Sequence, residues 1–235
     1  MKKPIIGIVG RPGKIDEVTS MTVCEKYRLA VVNSGGIPFL ILPNQYFDFE
    51  NERPRNASRL TDDEKKSMIK ILDMCDGILL PGGSKWFEID EFICRYALDN
   101  DIPLLGICLG MQLMVCTDNK SVNDGCDCSI VNNDTRINHK QPANQYVHKL
   151  MVEPNTYLNK IYGRKEFSVN SRHNYHVSST NNLIVSAYSE DGIIEAVEKP
   201  GNKFAIGVQW HPESMVSYDS LHKKLFDEFI KKASE

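Results

Sequence analysis

Cys108 and its two flanking glycines are the first candidates for chemistry in this 235-residue chain. The apolar run Ile102–Ile107 is too short for a helix, and apolar residues return at helical spacing after Cys108. Gly106 and Gly110 have the spacing of a nucleophile elbow, a sharp turn from strand to helix. Side chains at the glycines would collide with the backbone, and a helix N-terminus favours a thiolate. The pattern predicts a nucleophilic cysteine, with a buried structural thiol as the alternative.

His211 and Glu213 are the residue types that such a cysteine needs as partners. They follow an apolar run that ends at Val208, and in an extended segment their side chains point to the same side. Pro212 disfavours helical dihedral angles at His211. A carboxylate beside an imidazole fixes its tautomer and stabilises the imidazolium. We therefore predict a base and an orienting carboxylate for Cys108.

Strands that alternate with amphipathic helices are predicted to position these residues. The predicted strands of the first half lie within residues 4–10, 38–42, 77–80 and 102–107, with residues 11–14 and 43–60 as loops. This alternation predicts a mostly parallel sheet covered by helices on both faces, an α/β three-layer sandwich. In such sheets the reactive groups gather at the carboxyl ends of the strands, where Gly82, Gly83 and Cys108 are expected.

The second half of the chain predicts a smaller antiparallel portion and a closing helix. Short apolar runs indicate strands near residues 150–152, 167–169, 183–185, 193–197 and 204–208. Residues 117–144 are rich in Asn, Asp and Ser, and we interpret them as long exposed loops. Cys126 and Cys128 in this segment are interpreted as loop thiols, because a further pair of ligands at matching spacing is missing. We expect one domain over residues 1–235.

The composition excludes several classes of function. Acids and bases are mixed along the chain and the formal net charge is −3, which differs from the basic field of a nucleic-acid-binding protein. The longest apolar runs fall short of the roughly 20 residues of a membrane span, and the N-terminus lacks the features of a signal peptide. Seven cysteines without framework spacing indicate reduced thiols. We expect a cytoplasmic protein without nucleic-acid or membrane partners.

Two long motifs resemble those of the class I glutamine amidotransferases. They are Gly106-Ile107-Cys108-Leu109-Gly110-Met111-Gln112 and Val208-Gln209-Trp210-His211-Pro212-Glu213. The resemblance spans nearly the whole chain and is strongest to the gamma-glutamyl hydrolase branch (peptidase C26, gamma-glutamyl-gamma-aminobutyrate hydrolase-like). The stretches that resemble this branch are residues 3–8, 169–173 and 191–196.

The resemblance implies a flavodoxin-like fold and roles for particular residues. Cys108 would be the nucleophile, His211 the base and Glu213 the group that orients it. The backbone N–H groups of Gly83 and Leu109 would form an oxyanion hole. The residues that would contact the substrate are Gly82, Gln112, Asn170, Ser171 and His173. No metal and no organic cofactor are expected.

Three functions stay open at this point. The first is a free-standing hydrolase that cleaves the gamma-glutamyl amide bond of glutamine or a small gamma-glutamyl compound through a thioester. The second is a glutaminase subunit that delivers ammonia to a separate synthase. Leu109, where hydrolases of the branch often carry Arg, favours this second function, and the irregular segment 117–133 replaces a glycine-rich one. The third is a non-catalytic sensor. A small gamma-glutamyl substrate is the expected partner, and both a homodimer and a synthase subunit stay open.

Overall fold

A mixed β-sheet runs through the computed structural model, which describes residues 2–46, 48–49, 59–122 and 129–235. Along the described chain the strands are β1 (Ile5–Val9), β2 (Arg11–Ile15), β3 (Val18–Thr22), β4 (Ile37–Ile41), β5 (Gly77–Leu80), β6 (Leu104–Ile107), β7 (Ile130–Asn132), β8 (His148–Val152), β9 (Glu166–Val169), β10 (Tyr175–Val177), β11 (Ile184–Ser189), β12 (Ile194–Glu198) and β13 (Ala205–Val208).

Helices cover both faces of this sheet. They are α1 (Glu25–Asn33), α2 (Asp62–Leu72), α3 (Glu88–Asp99), α4 (Leu109–Val122), α5 (Tyr157–Tyr162) and α6 (Lys223–Ala233), and a short 3-10 helix spans Pro212–Ser214. One cluster of buried side chains joins α1, α5 and α6 to the sheet, and another joins α2, α3 and α4 to it. Among the helices in the described ranges, none combines the length and apolar character that a membrane span requires.

The sheet has a parallel half and an antiparallel half. The order is β4-β1-β5-β6-β13-β12-β11-β8-β9, and β10 pairs with both β12 and β7. Pairing is parallel from β4 through β13 and antiparallel from β13 through β9. The predicted α/β class, with a mostly parallel centre and an antiparallel portion from the C-terminal half, is confirmed.

The segment after β1 differs from the loop that the sequence predicted. β2 and β3 form a separate two-stranded antiparallel hairpin in which Arg11 pairs with Thr22. Asp16 and Glu17 connect the two strands with positive φ angles of 47° and 63°. Positive φ at both central residues is typical of the tightest hairpin turns, and Asp tolerates it better than most residues. Asp16 and Glu17 therefore form the turn of a hairpin. Residues 11–14, which the sequence predicted as a loop, lie in its first strand, β2.

The prediction of exposed loops over residues 117–144 is wrong in part. Helix α4 continues through residue 122, and the side chains of Asp118 and Asn119 are buried. Asp118 accepts hydrogen bonds from Lys199 Nζ at 2.6 Å and from a backbone N–H at 3.2 Å. Asp118 and Asn119 are polar, as loop residues usually are, but long-range hydrogen bonds satisfy their side chains inside the fold. Cys126 and Cys128 lie outside the described residues.

Three neighbouring parallel strands determine where the candidate residues lie. β5 and β13 flank β6, so the carboxyl ends of all three meet at one edge of the sheet. Gly82 and Gly83 follow β5, Cys108 follows β6, and His211 follows β13. Strand order thus brings residues that are far apart in the sequence to the same edge of the sheet.

Candidate active site

Cys108 occupies a strained corner between β6 and α4. Its φ angle is +54°, in the left-handed region that residues with a side chain rarely adopt. The corner also demands glycine at both flanks. A Cβ on Gly110 would lie 2.1 Å from the carbonyl oxygen of Leu80, and one on Gly106 would lie 2.8 Å from the backbone of Gly110. The predicted nucleophile elbow is therefore present.

The backbone of Cys108 is fixed on both sides of this corner. Its N–H donates to the carbonyl oxygen of Val208 in β13 at 2.7 Å, and its carbonyl oxygen accepts from the N–H of Gln112 at 3.2 Å. These bonds attach the corner to the neighbouring strand and to the first turn of α4. The side chain is left at the helix N-terminus, where unpaired N–H groups favour a negative charge.

His211 lies between Cys108 and Glu213. Its Nδ1 atom is 2.8 Å from Oε1 of Glu213, and its ring also hydrogen-bonds with Cys108. Because Nδ1 faces the carboxylate, Nε2 is the ring nitrogen left for the thiol. The side chains of His211 and Glu213 are only 12% and 3% exposed, so their interaction is weakly screened by solvent.

The electrostatic environment favours a protonated His211. Burial lowers the pKa of His211, but its interactions with Glu213 and Cys108 outweigh burial and raise this pKa well above its usual value. The raised pKa keeps the imidazolium form at neutral pH, and that form can donate a proton to a leaving group.

Gly82 forms the wall of the site opposite Cys108. A Cβ at this position would lie 2.9 Å from Cε1 of His211 and 3.5 Å from Cβ of Cys108. Its N–H donates to the hydroxyl oxygen of Tyr27 at 2.9 Å. Burial and the charge of Glu213 raise the pKa of Tyr27, which therefore stays a neutral phenol. Tyr27 thus fixes the turn that contains Gly82.

The neighbouring residue of the turn, Gly83, lies beside the start of α4. A Cβ on Gly83 would be 3.1 Å from Cδ2 of Leu109, the first residue of that helix. The first N–H groups of a helix lack an acceptor within the helix, so that of Leu109 is available in principle for an oxyanion. The pairing of Gly83 and Leu109 as oxyanion donors stays a prediction.

A buried ion pair supports the turn after β5 that contains Gly82 and Gly83. Arg11 forms a salt bridge with Asp90, and its Nη2 donates to the carbonyl oxygen of Pro81 at 3.3 Å. Both charged side chains are less than 10% exposed. Asp90 also accepts the N–H of Phe87 at 2.8 Å, which attaches the pair to the start of α3. The ion pair thereby holds the residue before Gly82.

Asn170 clamps the backbone of His211. Its Oδ1 accepts from the His211 N–H at 2.8 Å, and its Nδ2 donates to the His211 carbonyl oxygen at 2.9 Å and to that of Ala143 at 2.7 Å. Both polar atoms of this fully buried side chain are thus engaged with the backbone. The contacts indicate a positioning residue, whereas the predicted substrate contact of Asn170 finds no support in them.

The other predicted substrate residues also have partners inside the protein. Nε2 of Gln112 donates to the carbonyl oxygen of Tyr175 at 2.9 Å and to Oε1 of Gln209 at 3.1 Å. Ser171 and His173 are buried in a second cluster of polar side chains around Glu195. Their role as substrate contacts stays a prediction, while Gly82 faces the site directly.

Sequence reasoning missed three residues that support the site. Tyr27, Arg11 and Asp90 are not among the residues that the sequence assigns to the site. The one signal for Arg11 was its position at the carboxyl end of a buried strand, where the predicted functional edge of the sheet lies. The partner of Arg11 is 79 residues away in the sequence, so local patterns do not reveal it.

Comparison with known proteins identifies the family. The family model described as Peptidase C26 matches residues 87–213, which is more than half of the chain. The chain belongs to the peptidase C26 family. The resemblance noted in its motifs is thereby confirmed. The match ends at Glu213, which together with Cys108 and His211 forms the candidate catalytic triad.

Curated relatives of this C26 chain include both hydrolases and synthases. The gamma-glutamyl-gamma-aminobutyrate hydrolase PuuD of Escherichia coli is 28% identical, and the alignment covers 98% of this chain and 93% of that protein. The CTP synthase of Borreliella afzelii is 33% identical over 66% of this chain, but this covers only 34% of the synthase. The family and these relatives support a glutamine amidotransferase-like hydrolase.

A solved structure shows the same fold as this C26 chain. The glutaminase domain of Trypanosoma brucei CTPS, with bound acivicin, superimposes with a TM-score of 0.66 over 99% of this chain and 94% of that domain. The sequence identity is 21%, so the likeness concerns the fold.

The Asn170 clamp predicts a specific defect in an isosteric variant. Asn170→Asp keeps the acceptor for the His211 N–H but turns the donor into a second oxygen that faces two carbonyl oxygens. We expect kcat for hydrolysis to fall by about tenfold or more with little change in KM, because the imidazole is displaced. Steady-state kinetics and a thermal melt measure the two effects.

Asn174→Asp is the matched control, since it makes the same change at an exposed residue of the same segment. It should leave kcat and KM unchanged. A raised KM with unaltered kcat in Asn170→Asp would instead identify Asn170 as a substrate contact and contradict the clamp.

Proposed function

We propose that this chain hydrolyses the gamma-glutamyl amide bond of a small gamma-glutamyl compound. In this proposal Cys108 is the nucleophile, His211 transfers protons, and Glu213 orients and stabilises His211. The observation that carries it is the continuous contact from Cys108 through His211 to Glu213 at one edge of the sheet. Membership of the C26 family supports the same reaction class.

The acylation half of the reaction follows from these contacts. The thiolate of Cys108 attacks the gamma-carbonyl carbon, and the carbonyl electrons move to the oxygen to give a tetrahedral oxyanion. The oxyanion collapses, the C–N bond breaks, and the imidazolium of His211 gives its proton to the departing amine. The products of this half are a free amine and a gamma-glutamyl thioester on Cys108.

Hydrolysis of the thioester completes the cycle. Neutral His211 takes a proton from a water molecule, and the resulting hydroxide adds to the thioester carbon. Collapse of the second oxyanion breaks the C–S bond and releases glutamate, so that Cys108 and His211 return to their starting states. Glu213 stabilises the imidazolium in both halves.

The two oxyanions need donors that are already in place. We assign this role to the N–H groups of Gly83 and Leu109, because the turn after β5 and the start of α4 meet beside Cys108. Loss of one such donor typically costs about 3–4 kcal/mol of transition-state stabilisation. The Arg11–Asp90 ion pair and Tyr27 hold the two residues before Gly83, which gives the buried charged groups a role in positioning this turn.

The leaving group is proposed to be an amine larger than ammonia. The E. coli relative, a gamma-glutamyl-gamma-aminobutyrate hydrolase, aligns over nearly the full length of both chains. The CTP synthase aligns over two thirds of this chain and a third of its own. The extent of similarity therefore favours a hydrolase that acts without a synthase.

A glutaminase that delivers ammonia to a separate synthase is the second candidate. The motif Leu109-Gly110-Met111-Gln112 favours it, because it is more similar to glutaminase subunits than to hydrolases of the branch. The 33% identity to a CTP synthase points in the same direction. The two candidates share the triad and differ in the leaving group and in the need for a partner.

The two candidates separate in an assay of the purified chain alone. We expect kcat/KM for gamma-glutamyl-aminobutyrate or a gamma-glutamyl peptide to exceed that for glutamine, because contacts to the larger amine strengthen transition-state binding. The readout is released glutamate, with Cys108→Ala as the blank. Activity confined to glutamine that rises when a synthase is added would contradict the hydrolase and favour the second candidate.

The unequal roles of the triad predict unequal losses. Glu213→Gln should keep more residual kcat/KM than Cys108→Ala or His211→Ala, because it removes neither the nucleophile nor the proton carrier. It should also move the alkaline limb of the pH–rate profile to lower pH. The charge of Glu213 raises the pKa of His211, so without this charge the imidazolium loses its proton at lower pH.

Cys75→Ala is the control for loss of a buried thiol. Cys75 lies before the amino end of β5, at the edge of the sheet opposite Cys108, and burial raises its pKa to about 11. This variant should retain the wild-type kcat/KM and pH profile. An alkaline limb that stays in place in Glu213→Gln, with the fold intact by circular dichroism, would refute the proposed role of Glu213.

A further inference from the structure

A second cluster of ionisable side chains lies in the antiparallel half of the sheet. It consists of His139, His148, His173 and Glu195, and each residue is at most 4% exposed. His148 comes from β8 and Glu195 from β12, while the other two come from the segments around these strands. The proposed hydrolysis does not use this group of residues.

The imidazole rings surround one carboxylate oxygen. Oε1 of Glu195 is 3.4 Å from Nε2 of His148, 3.5 Å from Nε2 of His173 and 3.7 Å from Nδ1 of His139. The ligand atoms of His139, His148 and Glu195 all lie within 4.8 Å of one another. These contacts are longer than the 2.7–3.2 Å range of good hydrogen bonds.

The outer nitrogen of each ring faces an acceptor. Nδ1 of His148 is 3.1 Å from the carbonyl oxygen of Lys149, and Nδ1 of His173 is 3.0 Å from that of Tyr175. Nε2 of His139 is 3.2 Å from Oδ2 of Asp191. Because these oxygens only accept, the contacts favour a proton on each outer nitrogen, as in metal-binding histidines, although Nδ2 of Asn133 also lies 3.3 Å from Nδ1 of His173.

An inner nitrogen that carries no proton presents a lone pair to the carboxylate of Glu195. Among the described residues, neither oxygen of Glu195 nor Nε2 of His148 or His173 has a hydrogen-bond partner. The inner nitrogen of His139 differs, because its Nδ1 lies 2.9 Å from the hydroxyl of Ser171, which can donate a hydrogen bond to it. Buried acceptors that converge in this way are costly unless a positive charge lies between them.

We propose that His139, His148 and Glu195 form a structural site for a divalent first-row transition metal, with His173 beside them and Zn²⁺ as the probe. A tetrahedral site with bonds of about 2.0–2.1 Å places its ligand atoms about 3.3–3.4 Å apart. The distances of 3.4–3.7 Å from Glu195 to the three rings are near this value. Imidazole and carboxylate ligands suit such ions, the fourth position is open to His173 or to water, and binding replaces the hydrogen bond from Ser171.

Charge balance supports a divalent ion. Glu195 and Asp191 bring two negative charges into a region where the side chains are almost fully buried. One divalent cation between the rings neutralises both charges. This inference differs from the expectation of no metal, which concerned the chemistry of the candidate catalytic residues, and from the interpretation of Cys126 and Cys128 as loop thiols rather than metal ligands.

The site would hold together the segments that support His211. His173 lies three residues after Asn170, whose amide clamps His211. The carbonyl oxygen of Glu195 accepts the N–H of Gln209, just after β13, at 2.7 Å. The ion would therefore be structural, and the inference does not depend on the proposed hydrolysis.

Metal binding can be measured on the full-length chain after removal of metal with EDTA. We expect isothermal titration with Zn²⁺ to show one tight site and the Tm to rise by at least about 5 °C. Glu195→Gln should abolish both effects yet remain folded, because its amide donates hydrogen bonds to the lone pairs that the carboxylate repels. His148→Gln should abolish them as well.

Two controls exclude other sites. His222→Gln changes a buried histidine outside the cluster and should retain one zinc per chain. Cys126→Ser combined with Cys128→Ser should retain it too, and Co²⁺ should give visible bands without a thiolate-to-metal transition. A folded wild-type chain whose Tm is the same in zinc and in EDTA would overturn the proposal. Binding that survives in Glu195→Gln or disappears in the double serine variant would also overturn it.

Discussion

The left-handed backbone of Cys108 is the constraint on which the rest of the site depends. A φ of +54° at a residue with a side chain persists only where the surroundings over-determine it. Here Gly106 and Gly110 make room for the turn, and the hydrogen bond to Val208 attaches it to β13. This turn places the thiol at the N-terminus of α4, beside the imidazole that follows β13. Strand order and backbone strain together bring the thiol and the imidazole into contact.

Around this corner, each reactive group has its own support. The Arg11–Asp90 pair and Tyr27 hold the turn after β5, and Asn170 holds the backbone of His211. Burying charged and polar groups is costly unless they are paired, and these groups form hydrogen bonds to the backbone next to the triad. These buried polar contacts thus keep the turn after β5 and the candidate base His211 in place. The antiparallel half contributes through the segment that contains Asn170 and the histidine cluster behind it.

The parts of this arrangement that depend on local sequence were predictable. The elbow around Cys108 and the parallel strands have short-range signatures, namely glycine spacing and buried apolar runs. The supports were not predictable, because they join residues far apart in the chain: Arg11 to Asp90, and Asn170 to His211. The Asn- and Asp-rich stretch after residue 117 misled the prediction of loops for the same reason. Asp118 resembles a loop residue until its long-range partner Lys199 is known.

Trapping of the acyl-enzyme is the measurement that tests the central claim most directly. The chain is mixed with a gamma-glutamyl amide, quenched in acid within the first turnovers, and digested for peptide mass spectrometry. The account predicts a glutamyl adduct on the peptide that contains Cys108, which hydroxylamine removes as expected for a thioester. The adduct should be missing from Cys108→Ala and from samples without substrate. Adducts confined to another residue in a chain that turns over would contradict it.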